Sequence, residues 1–227
     1  MNTNMYTHED LKKAIDESLD IFLRPKLLDF VEKNINNNSL LDYQKSFLVE
    51  CKNFYYSLKL ILDLIKDKKI DINTEVGKMF IYPILRRLYE VFFNQEYIFH
   101  NKNKKEKRYK SFCLHVKKEY KSLYRKLKEY SYPNITKLPI LQEKINDKYP
   151  SLAERLKVIK NDDGYDFLPY YNPYKIMCFY THGTINSFLL KNLFNTSDFM
   201  AIKDPKELLG IIANGYLTIL STHFNYK

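Results

Sequence analysis

Apolar residues recur at intervals of three and four along most of the chain, the spacing that gathers them on one side of an α-helix. Leu11, Ile15, Leu19 and Phe22 form the first such stripe. Thr7 suits its cap, and Glu9 and Asp10 favour the positive end of the helix dipole. Pro25 suits the first turn of a second helix with Leu27, Leu28 and Val31 inward. Asn36-Asn37-Asn38 predicts a loop. Ser39 then predicts the cap of a long helix with Asp42 in its first turn, buried along Leu40, Phe47, Cys51, Phe54, Leu58, Ile61 and Ile65 and ended by Asp67-Lys68-Lys69.

A further helix is predicted from Thr74 to His100, with Pro83 removing one backbone bond and expected to kink or break it. At 100° per residue Ile81, Ile84, Leu85, Leu88 and Phe92 share one face, whereas Arg87, Glu90 and Asn94 fall together on another. An amphipathic helix follows, with Phe112, Val116, Tyr120, Leu123 and Leu127 on its apolar side and Lys110, Lys117, Lys121, Arg125 and Lys128 opposite. Pro133, Pro139 and Pro150 punctuate short helices, one of them opened by Ser151 with Glu154 three residues on, a capping box. Asn161-Asp162-Asp163-Gly164 predicts a turn. Asn172-Pro173 opens a helix reaching His182, and the last helix has Asp204 as cap, Pro205 at its first position and Glu207 at its third.

These elements predict an all-α fold, a bundle of about six to nine helices. Residues 1–72 would pack as N-terminal helices on a core of residues 73–227, together one unit. With 5 Gly and 8 Pro in 227 residues, the chain is poor in the turn formers that a sandwich or barrel requires. No internal repeat and no strand pattern is visible.

Charge sharpens this picture. The net charge is +10. Abundant Lys, Asn, Ile, Tyr and Phe are what an AT-rich genome encodes, so the total says little about a ligand. Its distribution says more: Lys102 to Lys128 holds twelve Lys or Arg and two Glu, and the remainder of the chain sums to zero. Lys107, Lys110, Lys117, Lys121, Arg125 and Lys128 could follow a phosphate backbone, with Tyr109, Tyr124 or Tyr130 stacking bases. RNA, another polyanion or an acidic partner protein would suit them; a solvated lysine face is the ordinary alternative. Cys51, Cys113 and Cys178 have no ligand spacing and read as reduced thiols of a cytoplasmic protein. No secretory leader is visible, and Leu208 to Leu220, interrupted by Asn214, is too short to span a bilayer. A homodimer is left open.

The chemistry-bearing residues are few. A glycine-rich phosphate loop, HExxH and GxSxG are all missing, which disfavours nucleotide-driven motors, zinc hydrolases and ordinary serine hydrolases; no cofactor or metal is called for. Arg87 and Glu90 could position a substrate group or a histidine, or form an ordinary helix ion pair. His182, in Tyr180-Thr181-His182-Gly183, could exchange a proton near neutral pH or simply suit the exposed carbonyls of a helix end. Arg108-x6-His115 falls within the Arg-x(4–6)-His spacing of the HEPN superfamily of helical ribonucleases. There an Arg steadies phosphate charge while a His moves the 2′-hydroxyl proton without a metal. That motif usually continues with a small polar residue, where this chain has Tyr109, and coincidence explains the spacing better.

Two segments together carry a family resemblance. Ile84-Leu85-Arg86-Arg87-Leu88-Tyr89-Glu90, continuing through Tyr97-Ile98 to Arg108-Tyr109, is joined later by Tyr165-Asp166-Phe167-Leu168 and Tyr180-Thr181-His182-Gly183. Over roughly Thr74 to Asn186 the chain resembles an uncharacterised prokaryotic family known as a domain of unknown function. The resemblance implies a helical bundle in which Arg87, Glu90 and His182 reach a shared cleft from different helices. It also implies a fold-level association with HEPN proteins and with toxin and phage-defence effectors. On this footing the expected function is a nucleic-acid-directed effector, a metal-independent endoribonuclease with His182 as general acid/base, Arg87 on phosphate and Glu90 orienting. The competing expectation is a non-catalytic helical module for a partner protein or nucleic acid.

Overall fold

A computed structural model describes residues 8–72, 74–129, 149–163, 171–181 and 205–226. Among them are eight helices and no strand, the all-α bundle that the periodicity predicts. In chain order they are α1 (His8–Phe22), α2 (Pro25–Ile35), α3 (Asp42–Lys66), α4 (Glu75–Phe99), α5 (Lys105–Glu129), α6 (Leu152–Asp163), α7 (Tyr171–Thr181) and α8 (Pro205–Phe224).

Local chemistry explains most of the boundaries. Pro25 opens α2, where its missing N–H costs nothing. Thr74 caps α4 by accepting the Gly77 N–H at 3.1 Å. A Cβ on Gly77 would overlap the Asp71 carbonyl, so only glycine lets the preceding turn fold this tightly onto α4. Ser151 and Glu154 form the expected capping box: the Ser151 N–H donates to Glu154 Oε2 at 2.7 Å and the Glu154 N–H to Ser151 Oγ at 3.4 Å.

Two expectations need correction, and a third is narrowed. Ser39 does not cap α3; its N–H and hydroxyl turn back to Asn37 Oδ1, at 3.0 and 2.8 Å. Leu41 is the cap residue, its N–H donated to Gln44 Oε1 at 3.0 Å. Asn161, Asp162 and Asp163, predicted as a turn, belong instead to α6, which runs through to Asp163. Pro83 lies inside α4 without ending it. The buried Ile81, Tyr82 and Leu85 anchor the turn around the proline, and their packing outweighs the one lost hydrogen bond. The predicted caps Thr7 and Asp204 lie outside the described residues.

One hydrophobic cluster draws buried residues from seven of the eight helices, and Tyr109 and Phe112 of α5 pack partly buried against it. Within it α4 packs against α3, α5, α6, α7 and α8, while α1 packs on α8 and α2 on α3. Tyr216 of α8 sits at the centre of a nest of rings, with Phe54 at 5.1 Å, Phe47 and Phe92 at 5.5 Å and Phe22 at 6.0 Å between centroids. Glycines make the close approach possible: a Cβ on Gly210 would overlap Ile15 of α1, and one on Gly215 the ring of Phe92. No helix among the described residues is long and apolar enough to cross a membrane.

The apolar side of α5 is covered only in part. Phe112 packs on the core, whereas Tyr120 and Leu123 remain 52% and 49% exposed. That opening borders the cleft described next.

Candidate functional site

A cleft of about 450 Å³ lies where α4, α5 and α6 meet, with Glu50 of α3 at its edge. From α4 come Arg87, Glu90 and Asn94, one turn after another on the side turned away from Phe92, together with Gln95 on the flank nearer Phe92. From α5 come Phe112, His115, Glu119 and Tyr120, and from the α6 end Tyr149 and Arg155. Among the described residues no group of three or more His, Cys, Asp or Glu is placed to hold a metal ion.

Tyr149 organises the cleft wall. Its ring lies 5.3 Å from that of His115 in a stacked arrangement, 5.5 Å from Phe112 and 5.8 Å from Tyr97. Its hydroxyl donates to Asn94 Oδ1 at 3.1 Å. Burial raises the phenol well above its ordinary range, so it stays a neutral donor. Arg155 lies 5.0 Å from the centroid of the same ring and donates to the Pro150 carbonyl at 2.9 Å. It is only 7% exposed, and its buried Nε has no hydrogen-bond partner among the described residues. Burial lowers its pKa, against the opposing pull of Tyr149 and Glu90.

The residues singled out in the sequence take different places. Arg87 is exposed and lines the cleft. Glu90 also lines it, but its carboxylate is already engaged: Oε1 accepts the Tyr174 hydroxyl of α7 at 2.6 Å and Arg86 Nη2 at 3.2 Å. Burial would lower the Arg86 pKa, and the neighbouring Glu90, Cys178 and Tyr174 outweigh it. Burial, followed by the bond to Glu90, pushes the Tyr174 phenol up. Glu90 therefore fastens α7 to α4 as well as facing the cleft. His182 lies outside the described residues, which end α7 at Thr181, as does the Tyr165 to Leu168 segment.

The pair Arg108 and His115 is divided. Arg108 is 6% exposed and sits at the corner between α4 and α5. Its Nη1 donates to the Tyr97 carbonyl at 2.8 Å and approaches the His100 ring nitrogens at 3.0 and 3.1 Å, with the guanidinium 4.3 Å from the Tyr97 ring centroid. His115, two turns on, reaches the cleft instead. On the outer side of α5, Lys107, Lys110 and Lys117 are exposed and Lys121 is half-buried; Lys110 also pairs with Glu106 at 3.2 Å. Arg125 and Lys128 belong to α5, but their side chains fall outside what is described. Cys51 is buried, and Cys113 and Cys178 are half-buried free thiols.

Tyr149, Arg155 and Gln95 were not singled out from sequence. Arg155 carried a readable signal, since it borders the apolar arc of Leu152, Leu156 and Ile159 on α6, where a charge is unexpected. Tyr149 precedes its helix and belongs to no periodic stripe.

A family model described as a family of unknown function (DUF5677) matches residues 81–200, a span holding most of α4 and all of α5, α6 and α7. No curated protein and no solved structure matches the chain.

Proposed function

We propose, from the premise that the chain belongs to this family of unknown function, that the protein is a helical module that binds a single-stranded polyanion, RNA foremost, along α5. The supporting observation is the exposed lysine arc. At 100° per residue Lys107, Lys110, Lys117, Lys118 and Lys121 fall within an arc of about 100°, and all but the half-buried Lys121 are exposed. A row of cations at helical spacing releases counterions from a phosphate backbone and gives salt-dependent affinity. The polar groups of α4 fit the same reading, because Glu90 has a packing partner in Tyr174.

The test is retention of single-stranded RNA by the protein and by Lys117→Glu/Lys121→Glu. The expected result is weaker binding and a salt slope reduced by about one to two. Retention and slope unchanged by the double reversal would leave the lysines as a solvated face.

A second reading, metal-independent cleavage of the bound strand, is favoured by one observation: His115 lines the same cleft as Arg87 and Glu90. His115 or His182 would move the 2′-hydroxyl proton and Arg87 would steady the phosphate. An effector role in toxin or defence systems belongs to this reading. RNA incubated in EDTA with wild type, His115→Ala and His182→Ala decides it; RNA left intact by all three removes it.

A further inference from the structure

We infer that the cleft between α4, α5 and α6 receives one unstacked nucleobase of the strand that lies along α5, with preference for a base that carries an exocyclic amine. The inference rests on the proposed RNA binding and assigns the cleft a part in it.

Its volume, about 450 Å³, falls within the range of small-molecule sites, about 300–1,000 Å³. Its wall is aromatic: Phe112, His115 and Tyr149 lie ring to ring at 5.3 to 5.5 Å, and Tyr120 stands half-exposed among the lining residues. Such a wall offers stacking faces to a flat ring and little to a sugar or an aliphatic chain.

The floor is amide. Gln95 is 3% exposed yet lines the cleft. Asn94 gives its oxygen to Tyr149, which leaves its NH₂ to donate. Primary amides offer donor and acceptor together, matching the edge of a base.

Charge separates a base from a phosphate as the occupant. Glu50, Glu90 and Glu119 line the cleft against Arg87 and Arg155, and Arg86 pairs with Glu90, so carboxylates and guanidiniums balance. A strand phosphate, a monoanionic diester, gains no net attraction there, whereas carboxylates accept hydrogen bonds from amine N–H groups such as that of cytosine. The phosphates therefore remain on the lysine arc, and Tyr120 stands at the cleft where the base enters.

Fluorescence anisotropy tests this with decanucleotides of cytidine, of uridine and of abasic ribose phosphate, on wild type, Tyr120→Ala and Glu119→Gln. Both substitutions fall on exposed positions of α5. The expected result is oligocytidylate bound about tenfold more tightly than the abasic strand, with oligouridylate between them. Tyr120→Ala should remove most of that margin without changing abasic binding, and Glu119→Gln should narrow the gap between cytidine and uridine. Equal affinity for oligocytidylate and the abasic strand overturns the base site and leaves the polyanion reading standing. A margin that survives both substitutions also overturns it, because the base would then bind elsewhere. Absence of binding to all three strands overturns both.

Discussion

On one side of α4 the ring of Phe92 enters the nest of phenyl rings around Tyr216, where the cohesion comes from burial. On the opposite side, about half a helical turn away, Glu90 holds Tyr174 and Arg86 by directed bonds, and Asn94 holds Tyr149. The first side tolerates no void, and the glycines of α8 bring the backbone up to the rings. The second side keeps a cleft open because its groups satisfy one another across space that no apolar side chain fills. One helix thus serves as wall for a sealed core and for an accessible cavity.

The largest expected effect falls on the sealed side. Tyr216→Ala, at a position 1% exposed, should cost about 3–5 kcal/mol of unfolding free energy in urea denaturation. A loss below about 1 kcal/mol would mean that the ring nest is not what holds α8 to α4. On the open side, Glu90→Ala removes the shared acceptor of Tyr174 and Arg86 and should cost about 1–3 kcal/mol. Combined with Tyr174→Phe it should cost less than the sum of the two single changes. Strict additivity would show that the bond from α7 to α4 contributes nothing, and the two sides would then differ less than the geometry implies.

The smallest effect lies at the corner where α5 meets the end of α8. Burial, followed by Lys105 and Lys102, lowers the pKa of His223 from 6.5 to about 4, and Lys105 Nζ donates to its Nδ1 at 2.9 Å. The folded imidazole therefore stays neutral while the unfolded one protonates below pH 6.5, so the contribution is present above that pH and declines as pH falls toward 4. Thermal melts between pH 7 and pH 4 should show a steeper decline for wild type than for His223→Gln, which cannot titrate. Parallel curves would show that the folded histidine protonates as freely as the unfolded one.

Much of the bundle was legible in the sequence because its helices obey local rules. The Ser151–Glu154 box, Pro25 at a helix start and the Phe47 to Ile61 stripe each depend on residues within a few turns of one another. The alternation on α4 between Leu85 or Phe92 and Arg87 or Glu90 was visible for the same reason. The cleft was not legible, since Tyr149 and Arg155 meet His115 and Asn94 only after the chain has folded back on itself, and no spacing encodes that meeting. Ser39 misled because an Asn two residues earlier competes for its hydroxyl, a local contest that the side-chain type alone does not decide. The open end of the α5 stripe misled for a different reason, because periodicity says which side is apolar and not how much of it finds cover.

The pairing of α1 with α8 joins residues separated by nearly the whole chain, as in Ser18 and Asn214, 196 positions apart and 3.5 Å between side-chain oxygens. During synthesis the surface of α1 that carries Ile15 has no mate until α8 leaves the ribosome, an interval on the order of ten seconds or more at ordinary elongation rates. For that time a greasy stripe on the nascent polypeptide is available to chaperones. Substitutions at Gly210 would therefore be felt in soluble yield as well as in the melting temperature of what does fold.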